Sequence, residues 1–476
     1  MLNLKAKELT RAKQLMRESK FVEALQILNE LEKKEVLSLQ EQFDYHHLKG
    51  SLLFEQGFMD EALKYAELAY NESRKLKNNL LTLDTIFTKI NIFRYSGRRI
   101  DALKNINKAE ELLNILNQIS SIQFKEKKAY IRYLKSFIYY QEGDLNKAIK
   151  HGQKGLQLAN ELNNKRLIML NVGCLATIHS WKGEFDIAQK YNKQRLKIAK
   201  DLNDKQQIIG ALNNIGTVFR DLGDLNQAMK YIKQSLILCN EIKSFKTPAI
   251  LDTLCRLAIE TDSFDTAQEC LDSMKVFTNQ RDKKNLLGYD IYNLSKALVL
   301  KQSPNDVERL KAKELFKKEL EKEEADFESK IVALLNLCAL NLRELHQTNN
   351  IKILDDINLY IQQTLNIAKE QKSYLLLAET HLLQAKLKLL IFELKEAQKL
   401  LITAQDIGKK YDLALLVDRI NKEQDELVNE MGKWEKMRNS KAIMSERIDL
   451  AHIEVQLNRM LKKRFSLKGA NINQII

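Results

Sequence analysis

Along almost the whole chain apolar residues recur at three- and four-residue intervals, the period of a helix with one greasy face. The pattern is clearest from Gly210 to Ile242, which reads GALNNIGTVFRDLGDLNQAMKYIKQSLILCNEI. Leu212, Ile215 and Phe219 mark one apolar stripe, and Ala228, Tyr231, Ile232 and Leu236 mark a second. The turn Leu222-Gly223-Asp224 lies between them. Gly223 can take the left-handed backbone that ends a helix, and the Asp224 carboxylate can accept from the free amides that open the next. An antiparallel helix pair is therefore predicted here. With only 2 prolines and 15 glycines in 476 residues, the chain has few helix breakers and reads as all-α.

The pair recurs. Taking the alanine of the second helix as a marker gives Ala24, Ala62, Ala102, Ala148, Ala188, Ala228, Ala267, Ala312 and Ala397, with a degenerate pair expected near Ile351. From Ala24 to Ala267 the steps are 38, 40, 46, 40, 40 and 39, a period near forty. Five residues before the marker stand Gly57, Gly97, Gly143, Gly183 and Gly223. Twelve before it stand Ala12, Gly50, Ser136, Ala176, Gly216 and Cys255, all small, with Ile90 as the exception. Small side chains there let two helix backbones approach closely. Each pair leaves an apolar flank that only the next can cover, so the chain is expected to stack into one array rather than split into separate domains.

The predicted organisation is a helical array over 1–411, a polar capping helix over 412–438, an amphipathic basic helix over 439–465 and a disordered tail over 466–476. Ile443, Leu450 and Leu457 repeat every seven residues, with Ile453 and Met460 between them. That stripe can fold back on the last repeat, form a homodimer through 443–461, or meet an anionic surface with the Lys462-Lys463-Arg464 cluster that follows.

The small-residue spacing, with its glycine five before the alanine, resembles the tetratricopeptide repeat. The run Ala211-Leu212-Asn213-Asn214-Ile215-Gly216 resembles the longer repeats of kinesin light chains and cell-polarity adaptors. Those exceed the usual unit of about 34 residues. The resemblance spans Leu4 to Tyr411 and is strongest from Gly50 to Ala267. It implies a right-handed α-solenoid of antiparallel helix pairs with a C-terminal helical appendage, whose concave surface is lined by the first helix of each pair.

Carried over by spacing, the residues fifteen, eleven and eight before each marker face that groove. They are His47, Ser51 and Phe54; Phe87, Asn91 and Arg94; Tyr133, Phe137 and Tyr140; Gly173, Thr177 and Ser180; Asn213, Thr217 and Arg220; Asp252, Arg256 and Ile259. Tyr130, one turn before Tyr133, joins the rings. Aromatic side chains anchor a bound peptide at little entropic cost, and Phe137 fits a core position equally well. The Asn213 amide can bond a peptide main chain, while Arg94, Arg220 and Arg256 can hold carboxylates or simply remain solvated.

Composition narrows the function classes. The 77 Lys and Arg against 63 Asp and Glu give a net charge of +14. Both signs are interleaved along nearly every helix, which suits a solvated outer face better than a nucleic-acid track. Cys174, Cys239, Cys255, Cys270 and Cys338 form no C-x-x-C pair and suit buried thiols in a reducing compartment. Neither these nor the seven histidines, His46 and His47 included, have metal-ligand spacing, so no metal and no cofactor is expected. No phosphate loop, dinucleotide fingerprint or nucleophile elbow occurs, so no catalytic residue is assigned. The N-terminus carries Glu8 and Glu18 and lacks a secretory apolar segment, and no apolar run is long enough to span a bilayer. The expectation is a non-enzymatic cytoplasmic scaffold whose groove binds a protein or peptide segment with acidic and apolar residues. The alternatives are a regulatory peptide-sensing arm and, less favoured, nucleic-acid binding through the basic surface.

Overall fold

The computed structural model describes residues 2–32, 37–116, 120–280, 286–323, 325–411 and 413–462. Among these residues every regular element is a helix. Ten antiparallel pairs follow one another: α1 (Leu2–Arg17) with α2 (Phe21–Glu32), α3 (Leu39–Gln56) with α4 (Met59–Lys75), α5 (Asn79–Tyr95) with α6 (Arg99–Asn114), α7 (Ser121–Glu142) with α8 (Leu145–Glu161) and α9 (Lys165–Trp181) with α10 (Phe185–Asp201). They continue with α11 (Lys205–Leu222) and α12 (Leu225–Ile242), α13 (Thr247–Glu260) and α14 (Phe264–Asn279), α15 (Leu286–Gln302) and α16 (Asp306–Glu321), α17 (Phe327–Thr348) and α18 (Ile353–Glu370), and α19 (Tyr374–Leu390) and α20 (Leu394–Lys410). Each pair packs on the next, so the molecule is an all-α solenoid.

The turn chemistry explains the hairpins. Gly223 has a φ of 87°, and the Asp224 carboxylate accepts from the Gln227 amide at 3.0 Å. The left-handed turn persists where glycine is absent, at Ser19, Asp262 and Phe392, with φ of 59°, 54° and 59°. These three also stand five before their markers, so hairpin closure imposes the conformation even on residues that do not favour it.

The small residues act through one contact. A Cβ on Gly50 would lie 3.1 Å from the Ala62 carbonyl oxygen, and one on Gly216 would lie 3.2 Å from that of Ala228. Ser136 uses the same approach to donate to the Ala148 carbonyl at 2.7 Å, and Cys255 Sγ lies 3.8 Å from the Ala267 carbonyl. In the degenerate ninth pair Cys338 Sγ lies 4.0 Å from the Ile357 carbonyl. There the spacing is nineteen and the alanine has become isoleucine, which hid the pair from the spacing rule.

The array coils until distant pairs meet. The Phe54 and Phe245 rings lie 5.1 Å apart, and the Arg99 guanidinium donates to the Ala325 carbonyl at 3.0 Å. Glu328, at the start of α17, accepts from the Tyr140 hydroxyl at 3.2 Å and from the Trp181 indole at 3.1 Å.

After α20, the long helix α21 (Ala414–Asn439) packs on the end of the array. The single helix expected over 439–465 is instead two, α22 (Met444–Leu450) and α23 (Ile453–Lys462), broken at Ala451 and His452, where His452 has a φ of 48°. Both lie against α17 and α19, first helices of their pairs. The seven-residue stripe is buried only in its second half: Ile453, Leu457 and Met460 are buried, whereas Ile443 is 53% exposed and Ile448, outside the stripe, is 1% exposed. The broken segment is tied to the solenoid in both directions. Lys386 Nζ donates to the Ala451 carbonyl at 2.9 Å, and Arg447 Nη1 donates to the Leu390 carbonyl at 2.9 Å. The tail expected over 466–476 lies outside the described residues.

Candidate functional site

The residues assigned to the groove fall into two groups. In the first, on α3, α5 and α7, side chains pack on one another across the inside of the coil. Phe87 meets Tyr130 edge-on at 4.9 Å, and the Asn91 amide donates to the Tyr130 hydroxyl at 2.8 Å. Arg94 is 1% exposed, donates to the Tyr133 hydroxyl at 3.0 Å and lies 3.7 Å from the Phe137 ring centre. His47 Nε2 lies 3.0 Å from Thr88 Oγ1, and burial holds its imidazole below the ordinary pKa. The rings continue from Phe54 and Tyr95 through Phe137 and Tyr140 to Phe327 and Trp181. Tyr133 is buried, while Tyr130, Phe137 and Tyr140 are half-buried. These rings line the inside of the coil, but most of their surface is covered by neighbouring turns.

The second group surrounds a cavity of about 720 Å³ walled by α9, α11, α13, α15 and α17. Tyr140, Thr177, Asn213, Thr217, Arg220, Asp252 and Arg256 line it; His47, Phe87, Asn91, Arg94, Tyr130, Tyr133 and Phe137 do not. Closing contributions come from the turn holding Arg98 and Arg99 and from Leu461 of α23.

Arg220, Arg256 and Lys322 are matched by carboxylates at the wall. Arg220 pairs with Asp221 at 2.9 Å and faces Glu260 at 3.7 Å. Arg256 pairs with Asp252 at 2.8 Å, and that carboxylate also accepts from Ser295 at 2.6 Å. Lys322 pairs with Asp290 and Glu319. Against the expectation of a cationic groove for an acidic partner, the lining carries six carboxylates and five cations. Burial and the neighbouring Glu328 raise the Asp326 pKa.

What the wall leaves open is amide chemistry. The Asn213 and Asn192 side-chain oxygens are buried without a hydrogen-bond partner. Asn214, beside them, donates to Thr177 Oγ1 at 3.1 Å. A buried carbonyl oxygen without a donor is unfavourable by about 1–3 kcal/mol, so a ligand bringing N–H groups would be stabilised here. Trp181, Asn192, Asn214, Asp326 and Glu328 were missed by the spacing rule. Asn192 belongs to a second helix, and Asp326 and Glu328 reach the wall only because the coil returns α17 to it. Among the described residues, no cluster of His, Cys, Asp and Glu could hold a metal ion, and no helix is long and apolar enough to cross a membrane.

Comparison with known proteins agrees with this fold. A tetratricopeptide repeat is matched at residues 208–242, the hairpin of α11 and α12, and the stacked pairs on either side of it have the same helical-repeat architecture. Among solved structures it is similar to a Rap protein complexed with competence and sporulation factor, at a TM-score of 0.54 and 15% identity, covering 78% of this chain and 99% of that one. NprR in complex with its cognate peptide NprX is similar at a TM-score of 0.49 and 16% identity, covering 76% of this chain and 98% of that one. A signal-transduction ATPase with a tetratricopeptide repeat sensor from Pyrococcus horikoshii gives 0.40 and 12%, covering 74% of this chain and 53% of that one. No curated protein matches the sequence.

Proposed function

We propose that the chain is a non-enzymatic scaffold that binds a short extended peptide in the cavity between α9 and α17. The reading rests on the unpartnered Asn213 and Asn192 carbonyl oxygens in an enclosure of about 720 Å³. Main-chain N–H groups of an extended segment supply the missing donors, and their regular spacing suits amides on successive helices. The volume lies within the roughly 300–1,000 Å³ of ligand sites, which takes a short segment and not a folded domain. The Rap protein of like fold was solved in complex with competence and sporulation factor, which points the same way. Five buried, unpaired thiols suit a reducing, cytoplasmic setting.

Retention of peptides from a low-molecular-weight extract of the native cell, read by mass spectrometry, tests this. Wild type should retain a defined peptide that Asn213→Ala with Asn192→Ala loses by about tenfold or more. Equal retention by both proteins would remove the reading.

The second reading is a peptide-sensing regulatory arm, and the Glu328 contacts with Tyr140 and Trp181 favour it. They join two turns of the coil at the cavity wall, so occupancy can bias how tightly the coil closes. Small-angle scattering with and without the retained peptide should then show a changed radius. A dimer through 443–461 would require α22 and α23 to leave α17 and α19. Nucleic-acid binding draws no support from the cavity, whose charges are nearly balanced.

A further inference from the structure

Three cations, none of them among the residues that line the peptide cavity, form no ion pair with the described residues. Arg94 donates to the Tyr133 hydroxyl, Arg195 to the Gln207 side-chain oxygen at 2.6 Å, and Lys246 to the Gln206 carbonyl at 2.7 Å. All three acceptors are neutral. The Nε atoms of Arg94 and Arg195 are buried with no partner at all.

Arg195 is the most telling. It starts on α10, the outer helix of its pair, and its side chain passes between α9 and α11. A Cβ on Gly173 would come within 2.9 Å of its Cδ and Nε, and one on Gly210 within 2.7 Å of its Nη2. Two glycines on neighbouring helices thus clear a passage for one guanidinium. Gly173 occupies an inward-facing position of the repeat, so the guanidinium emerges on the inside of the coil.

The other two cations converge from elsewhere. Gln206, which holds Lys246, lies one turn from Gly210 on the same face of α11, an axial rise of about 6 Å. Phe245, next to Lys246, packs edge-on against Tyr95 at 5.0 Å, and the Arg94 guanidinium lies 4.8 Å from the Tyr95 ring centre. Tyr95 is their common neighbour. Burial alone would push its phenol up, yet the Arg94, Lys246 and Arg195 cations leave it below its ordinary pKa. Arg94 sits at the back, whereas Tyr95, Arg195 and Lys246 each keep part of their surface open.

Two carboxylates, Asp204 and Glu55, lie within electrostatic reach of these cations but form no ion pair with them. Asp204 accepts from the Gln207 amide at 3.0 Å as the cap of α11. Glu55 Oε2 has no hydrogen-bond partner, and burial pushes its carboxyl up to about 7. Arg166 adds a further cation within electrostatic reach of Glu55. A buried cation without a counter-ion is strongly unfavourable, and a chain that threads one between two glycines has a use for it.

We propose that Arg94, Arg195 and Lys246, converging beside Tyr95, form an oxyanion-binding site for a carboxylate or phosphate group. Guanidinium groups suit both because each offers paired donors to two oxygens.

The full chain is titrated with inorganic phosphate and with citrate at constant ionic strength, reading heat and melting temperature. Either anion should bind and raise the melting temperature. Phosphate alone would assign a phosphoryl source and citrate alone a carboxylate one. Arg195→Gln with Lys246→Gln should weaken binding about tenfold or more, Arg195→Lys should retain part of it, and Glu55→Gln should tighten it. Melting without anion checks that each variant is folded. No binding of either anion, or equal binding by the double glutamine variant, overturns the site. So does loss of binding in Asn213→Ala, which would place the ion in the peptide cavity.

Discussion

The inner surface of the solenoid is filled in two different ways. Along α3, α5 and α7 the repeat's own side chains fill it, rings and an arginine packed across the coil. Along α17 and α19 a distant part of the chain does so: α22 and α23 lie in the trough with Ile448, Ile453 and Leu457 buried. The cavity is the stretch between. Bulky residues at inward positions close a groove from within, whereas α19 accepts a helix instead, with leucines beside Lys386 and Glu379 that bond Ala451 and Gln456 of the incoming segment. The partner-free middle is lined by Thr177, Asn213 and Thr217, too small or too polar to do either.

The largest predicted effect tests the second mode. Leu457→Ala should lower stability by about 2–5 kcal/mol in denaturant unfolding, since it empties a buried site between α23 and the trough. Ile443→Ala should change it by less than about 0.5 kcal/mol. Equal costs would place Ile443 in the buried face with Leu457 and break the comparison.

A smaller effect sharpens the first mode through pH. The Glu55 carboxyl is raised from its ordinary 4.5 to about 7 by burial. The folded chain therefore holds this proton to a higher pH than the unfolded one. The resulting destabilisation is absent below pH 4.5, grows as pH rises and is complete above pH 7. Glu55→Gln should thus stabilise by about 1–3 kcal/mol at pH 8 and by almost nothing at pH 4, checked by melting at both. A gain independent of pH would assign the effect to packing.

The smallest concerns Arg94. Replacing an unpaired buried cation by an apolar side chain of similar length removes a desolvation penalty but strands the Tyr133 hydroxyl contact. Arg94→Met should therefore shift stability by no more than about 1 kcal/mol in anion-free buffer. A loss of several kcal/mol would make Arg94 a structural strut and not a residue kept for a ligand.

The hairpins were legible because their causes are local. A glycine five before an alanine, a capping aspartate and a small residue twelve before act within one pair, as the Gly216 approach to Ala228 shows. The inward assignment of Asn213, Thr217 and Arg220 followed from the same period. Pairing of Arg220 with Asp221 and Glu260 did not, nor did the capture of α17 by Tyr140 and Trp181. Those depend on partners in other helices, some beyond a hundred residues away.

Sequence alone determined the repeat, the hairpin turns and the faces that pair, since contacts of three, four and twelve residues carry them. Tertiary structure alone decided how far the coil closes, which inward residues are covered and where the last two helices lie. The reason is accumulation: each pair turns slightly against the next, and small rotations summed over ten pairs decide which distant surfaces touch.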